Sequence, residues 1–267
     1  MIDTHCHLTF DQLHRRIDQI LADADTAGVD RMISVGTTPA DATRALAIAH
    51  RFPRVYATAG VHPHYAAEFS DKAALRDSLN DKLADPRCVA LGEMGLDRHY
   101  PDPPIDDQRR VFAWQLELMQ APGSPANALP GIIHNREATD ETLAMIREAG
   151  IPGERFVFHC FTGSADELDA ILELGAKVSF TGIVTFPSAS NLAQASDRVP
   201  LDRLMIETDS PYLTPEPNRR VKPNEPRYVA DVARFLAQRR GLDLDTFVKQ
   251  VDTNAVAFFN LPSQGNP

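Results

Sequence analysis

At 267 residues the chain has room for one large domain or two small ones, and its net charge of −10 excludes the broadly basic surface of a protein that coats nucleic acid. A hydrophobic fraction of 43% suffices for a buried core, and 24% charged residues is ordinary for a globular protein. Cys6, Cys88 and Cys160 are few and widely spaced, with no Cys-x-x-Cys, which excludes a disulfide framework and a thiolate zinc cluster.

Short apolar runs recur along the chain at 2–4, 32–35, 55–61, 89–91, 132–133, 156–158, 178–180 and 204–206, eight in all. Helical spacing fills the gaps, as in Leu13, Ile17, Ile20, Leu21 and Ala24, and again in Leu168, Ile171 and Leu172. Ser164 with Glu167 three residues on has the form of a capping box, which predicts a helix start after the sixth run. Strand and helix alternating eight times predict an α/β fold, a single-domain (β/α)8 TIM barrel over residues 1–261. The Pro-rich stretches Tyr100–Pro104 and Ala121–Pro130 read as surface excursions, and 262–267 as a fraying tail. No charged start followed by an apolar stretch opens the chain, and no apolar run is long enough for a bilayer. The expectation is a cytosolic protein with no membrane association and no obligate protein partner.

In such a barrel chemistry gathers where the strands end. His5 and His7, two apart, share a face of strand one, while Cys6 between them turns away as a small buried residue. Glu93 ends strand four, His134 strand five, His159 strand six and Asp209 strand eight. Each alone has a plain explanation: a hydrogen-bonded strand end for His134, a solvated loop for Glu93, a turn before Ser210-Pro211 for Asp209. Together, His5, His7, Glu93, His134, His159 and Asp209 converge on one rim as metal ligands. Six ligands exceed one tetrahedral ion, so two divalent ions are expected, with the central Glu93 bridging them. A bound divalent ion lowers the pKa of water toward about 7, and an adjacent carboxylate, Asp209, can take the proton as general base. The catalytic pair is therefore Glu93 and Asp209, and the chemistry hydrolysis.

These motifs resemble the TatD family of metal-dependent deoxyribonucleases, within the amidohydrolase-like metal-dependent hydrolases. The resemblance is carried by Ile2-Asp3-Thr4-His5-Cys6-His7-Leu8, Gly60-Val61-His62-Pro63-His64, Gly92-Glu93-Met94-Gly95-Leu96-Asp97, Ile132-Ile133-His134-Asn135-Arg136, His159-Cys160-Phe161-Thr162-Gly163 and Glu207-Thr208-Asp209-Ser210-Pro211-Tyr212-Leu213. Asn224-Glu225-Pro226 and Asn254-Ala255 extend it to about Leu261. It implies His5, His7, Glu93 and Asp209 around one metal and Glu93, His134 and His159 around the other. It also implies magnesium, manganese or zinc as the metal, and cleavage of DNA phosphodiesters from a single-stranded 3′ end. Three features depart from the pattern: a lengthened stretch before His134, Gly131 where a bulkier apolar residue is usual, and the sequence Arg98-His99-Tyr100-Pro101.

His62 and His64 end strand three and either contact a scissile phosphate or share a hydrogen-bond network with carboxylates behind the ligands; Arg136, two past His134, suits phosphate contact unless it pairs with Glu137 or Asp140. Glu207 and Asp3 stand two residues before Asp209 and His5, one layer deeper on the same strand faces, and are expected to orient a ligand, while Asp97 hydrogen-bonds the loop after strand four. Arg219, Arg220 and Lys222 form a basic cluster near the mouth, and Phe161, Phe186 and Tyr212 are candidate base platforms. A hydrolase of small esters, lactones or amides with the same site is the rival enzyme reading, and a metal-binding adaptor without catalysis a third.

Overall fold

The computed structural model describes residues 1–262; residues 263–267 of the expected tail lie outside the described residues. Eight strands, β1 (Ile2–Cys6), β2 (Arg31–Ser34), β3 (Val55–Ala59), β4 (Cys88–Asp97), β5 (Gly131–Arg136), β6 (Phe156–Phe158), β7 (Lys177–Phe180) and β8 (Leu204–Ile206), pair in parallel in sequence order. The ring closes where Cys6 bridges Ser210: His7 N–H donates to Ser210 O at 2.8 Å and Asp209 N–H to His5 O at 2.9 Å. The expected TIM barrel is thus what the chain forms, and the eight apolar runs are its strands.

Helices wrap the outside because their apolar residues recur at helical spacing and their ends carry caps. In the helix Pro39–Arg51 Asp41 N–H donates to Thr38 Oγ1 behind a proline in the first turn. In the helix Ala165–Leu174 the Ser164–Glu167 capping box is formed on both sides, and Gly175 closes the helix in the left-handed region. The segment around Leu13–Ala24 is broken into Asp11–His14 and Ile17–Thr26, with Leu13, Ile17, Ile20, Leu21 and Ala24 all buried. Among the described residues no helix is long and apolar enough to cross a membrane.

Two apolar layers hold the barrel. The larger lies between sheet and helices, and a smaller one, built from Ile2, Ile33, Val35, Tyr56, Ile132, Val157 and Met205, fills the barrel interior. The interior is stoppered by Ala255 and Phe259 of the last helix (Leu244–Phe259), whose Asn254 amide donates to the carbonyls of Leu201 and Leu204. Gly131 admits its neighbours: a Cβ there would stand 2.8 Å from Phe156 Cδ1 and 2.9 Å from Met94 Cε, so these side chains occupy the volume that a bulkier residue would claim. The Pro-rich stretch before β5 is not a free excursion. It forms a 3-10 turn over Pro125–Ala128, and Arg155 donates to the carbonyls of Met119, Ala126 and Leu129.

Two strands carry an extra residue where the barrel meets its site. In β1, Asp3 pairs with Met32 but Cys6 with Ser34; in β4, Leu91 pairs with Gly131 but Met94 with Ile133. Such a bulge re-aims the side chains that follow it. Leu91 packs in the outer layer, and strict alternation would send Glu93 the same way; the bulge at Gly92–Glu93 delivers the carboxylate to the cavity instead. Gly92 has φ +139°, and a Cβ on Gly60 would lie 2.6 Å from Gly92 Cα, so only this glycine pair lets β3 and the β4 bulge approach so closely.

Candidate metal centre

At the C-terminal ends of the strands lies a cavity of about 1030 Å³. Glu93 is its hub. His134 Nδ1 and His159 Nε2 each stand 2.7 Å from Glu93 Oε1, His62 Nε2 stands 3.3 Å from the same oxygen, and His5 Nε2 lies 3.3 Å from Oε2. On the β1/β8 side His7 Nε2 is 3.2 Å and His5 Nε2 3.8 Å from Asp209 Oδ1. Asp209 is held there by a left-handed backbone, φ 52°, uncommon for a residue with a side chain. The structure therefore brings His5, His7, Glu93, His134, His159 and Asp209 together, with His62 among them.

Two carboxylates stand behind the imidazoles. Asp97 Oδ2 lies 3.0 Å from His134 Nε2 and so fixes that ring with Nδ1 on the cavity side, 2.7 Å from Glu93 Oε1. Glu207 Oε1 stands 3.4 Å from His159 Nδ1, an ion-pair distance outside hydrogen-bond geometry, and leaves His159 Nε2 facing Glu93. Glu207 is itself fixed by donation from Ser179 Oγ at 2.7 Å and from the Cys160 N–H at 2.7 Å. It thus faces His159, at the end of β6 two strands away, as the expected orientation of a ligand requires. Asp3 does not touch the His5 ring. It accepts from Thr208 N–H at 2.9 Å and Thr208 Oγ1 at 2.6 Å, and so ties β1 to the segment that carries Asp209. Asp97 does pin the loop after β4, through the N–H groups of His99 and Tyr100, but it also bridges His64 Nε2 and His134 Nε2, each at 3.0 Å. Its part in orienting His134 was legible in the spacing, since Glu93, Gly95 and Asp97 alternate along one strand face.

The charges follow from this packing. Burial pushes the Glu93 carboxyl up, but His159, His62 and His134 outweigh it and hold the group well below the usual carboxylate range. Burial also opposes ionisation of Asp209, which His7 and His5 nevertheless keep low. His5 and His159 stack with ring centroids 3.9 Å apart and 9° between planes, so both cannot comfortably carry charge. Burial and His159 lower His5, whereas His159, though buried, is carried well above the ordinary histidine value by Glu93 and Glu207. Burial outweighs the pull of Glu93 on His62 and lowers it to about 4. Neutral His62 accepts the His64 N–H on Nδ1 at 3.0 Å, so its proton sits on Nε2. It offers the cavity a donor, not a lone pair.

The residues fit divalent ions. Three sets, His5–His159–Asp209, His5–His7–Glu93 and His62–Glu93–His134, each bring ligand atoms within 4.8 Å of one another. Both nitrogens of buried His5 and Nδ1 of buried His7 lack any hydrogen-bond partner among the described residues. Imidazole and carboxylate together suit zinc, manganese or magnesium. The protonated Nε2 of His62 sets that residue apart from His134, the other imidazole of the third set.

His64 and Arg136 line the cavity, as do Phe10, Tyr65, Tyr100 and Tyr212. Phe10 stacks on His7 at 4.7 Å and was not singled out in the sequence, where it follows a turn two residues past the first signature. Phe161 is buried against Phe180 rather than available to a base. Phe186 lies under the Arg219 guanidinium at 3.9 Å, and neither they nor Arg220 and Lys222 are among the cavity's lining residues. Glu137, the expected partner of Arg136, pairs with His99 at 2.8 Å instead.

An eight-stranded parallel barrel with imidazoles and carboxylates gathered at its C-terminal strand ends defines a metal-dependent hydrolase acting on ester bonds. The family model described as TatD related DNase matches residues 2–260, and the chain belongs to that family. It is 34% identical, over 98% of its length and 99% of the relative's, to the uncharacterized metal-dependent hydrolase YabD of Bacillus subtilis. It is 35% identical to the 3′-5′ ssDNA/RNA exonuclease TatD of Erwinia billingiae, over 98% of this chain and all of that one. Among solved structures, the TatD homolog YjjV of Escherichia coli superposes with a TM-score of 0.90 at 30% identity, covering 98% of both chains.

Proposed function

We propose that this hydrolase removes nucleotides from the 3′ end of single-stranded DNA with two divalent ions. His5, His7, Glu93 and Asp209 would hold one ion, and Glu93, His134 and His159 the other. The observation that carries the reading is Glu93 itself, which lies within 3.3 Å of imidazoles from β1, β5 and β6 and belongs to two separate candidate ligand sets. The curated relative that acts on single-stranded DNA and RNA matches end to end, which supports the substrate.

When bound, the two ions supply Lewis acidity to the phosphoryl group and a nucleophile at neutral pH. The chain's own residues do the rest. Asp209, held low and next to His7, accepts the proton of the attacking water as the new P–O bond forms and the bond to the leaving 3′-oxygen breaks. His62 donates Nε2–H toward the phosphoryl oxygens. His64, oriented by Asp97, and Arg136 contact the phosphate from the β3 and β5 sides. Asp97 and Glu207 hold His134 and His159 in the tautomers that leave Nδ1 and Nε2 free for the ion. The three free cysteines are in keeping with a reducing, cytosolic setting.

The test is cleavage of 5′-labelled single-stranded DNA by protein loaded with magnesium, manganese or zinc, beside an EDTA control and Glu93→Ala. A ladder shortening from the 3′ end, absent in both controls, is the expected result. An intact strand with metal demonstrably bound would move the activity to small esters or amides.

A further inference from the structure

Arg136 is the one Lys or Arg among the described residues that line the cavity. It stands at the end of β5, two residues past His134 and paired in register with Asp97. The residue is half-buried, yet its guanidinium makes no hydrogen bond or ion pair among the described residues; its contact is the Tyr100 ring, at 5.3 Å. Neighbouring cations are committed elsewhere, Arg98 and Arg109 both to Glu141. A cation left unpaired on the wall of a cavity lined by Glu93, Asp97, Asp102 and Asp209 is placed for an anionic ligand.

Tyr100 has the complementary property. The residue is 47% exposed, where nearly all large apolar residues are covered, and it too lines the cavity. The loop that carries it is pinned rather than free. Asp97 Oδ1 accepts from the N–H groups of His99 and Tyr100, and Gln108 Nε2 donates to the carbonyls of Asp97 and Pro103 at 3.0 and 2.9 Å. His64 and His99 brace the ring edge-on at 5.2 and 4.8 Å. A rigid, exposed aromatic loses little entropy on binding a flat ligand.

We infer that Tyr100 and Arg136 form a nucleotide subsite beside the metal centre, the ring stacking one nucleobase and the guanidinium taking a phosphate oxygen next to it. The inference rests on the phosphodiesterase reading above and adds a base-recognition element to it. Tyr100 is tied to the reaction through Asp97, which fixes its loop and orients His134, so a base on Tyr100 sets the strand in register with the reacting phosphate.

The experiment compares three 5′-labelled strands with metal-loaded protein: one fully based, one with a base-free tetrahydrofuran residue at the 3′ terminus, and one with it at the penultimate position. Stacking on an aromatic side chain contributes on the order of ten-fold or more per base. Wild type should cleave one of the two base-free strands about ten-fold more slowly than the fully based strand. Tyr100→Ala should erase that discrimination through KM, Tyr100→Phe should restore it, and Arg136→Ala should raise KM on all three strands alike. Unchanged melting temperatures show that the variants are folded. Equal rates on all three strands in wild type, or undiminished discrimination in Tyr100→Ala, would overturn the inference and leave the nuclease reading standing. Failure of wild type to cleave even the fully based strand would overturn both.

Discussion

The two ends of this barrel solve opposite problems. At the N-terminal end, Arg31, Arg54, Arg87, Arg155, Lys177 and Arg203 stand at or immediately before the first residue of six strands. Arg87 donates to the carbonyls of Pro53 and Val55, Arg155 to those of Met119, Ala126 and Leu129, Arg203 to Leu172 and Lys177 to Asp202. Met119 and Leu172 lie in the last turns of the helices Ile105–Gln120 and Ala165–Leu174, whose final carbonyls lack partners within the helix, and Arg155 and Arg203 meet them and the helix dipoles together. At the C-terminal end the same accounting fails. His5 is fully buried with neither ring nitrogen hydrogen-bonded, and four imidazoles crowd one carboxylate. One end is held by its own chain's cations and carbonyls and carries stability; the other leaves its central imidazoles for what it binds.

Substitutions at the two ends should therefore separate activity from stability. Largest is Glu93→Ala, which removes the group shared by both candidate ion sets and should lower kcat/KM by about a thousand-fold or more, several kcal/mol of transition-state stabilisation. Because His134 and His159, each 2.7 Å from Glu93 Oε1, lose their carboxylate, the melting temperature in EDTA should fall as well, and the rates are compared on protein shown to be folded. Next comes Asp97→Asn, expected to cost about ten- to a hundred-fold in metal affinity or activity because His134 loses its orienting carboxylate; a titration of activity against metal measures it. At the opposite end, Arg155→Ala should cost about 2–3 kcal/mol by abandoning three carbonyls. Its melting temperature should drop by roughly 5–10 °C, seen by calorimetry, with kcat/KM unaltered. A loss of activity in folded Arg155→Ala would break the comparison.

The smallest effect concerns the exposed pair His50–Asp85, 2.8 Å apart at the stability end. Burial raises the Asp85 carboxyl slightly, but the His50 hydrogen bond and the Arg87 N–H outweigh it and set it below its ordinary value. A depressed folded-state pKa stabilises above the unfolded value of about 3.9 and loses that stabilisation as pH falls through the folded value. Asp85→Asn should therefore lower stability by about 0.5 kcal/mol or less at neutral pH, screened by solvent, and converge with wild type in acid. Urea midpoints at neutral and acid pH measure the difference.

The strands and the residues that meet at their ends were legible because the parallel barrel makes apolar runs short and sends the next polar residue to the rim. The direction in which Glu93 points was not. Alternation from Leu91 sends it outward, and only the extra residue paired against β5 brings it in, a property of register between strands far apart in sequence. The same holds for Glu207, whose neighbour along the chain is Asp209 but whose partner in space is His159. His62 shows a different limit: its residue type allows ligation, and only the His64 N–H on Nδ1 reveals that Nε2 is a donor. Phe161 occupies a plausible platform position in sequence, yet the outer apolar layer claims it.

The sharing of Glu93 between two ions is the central claim, and metal counting tests it most directly. Wild type and His134→Ala would be loaded with zinc, dialysed against metal-free buffer and analysed by inductively coupled plasma mass spectrometry. About two ions per chain in wild type, falling to about one in His134→Ala while His5, His7, Glu93 and Asp209 retain theirs, is the expected result. A single ion per chain in wild type would contradict the account.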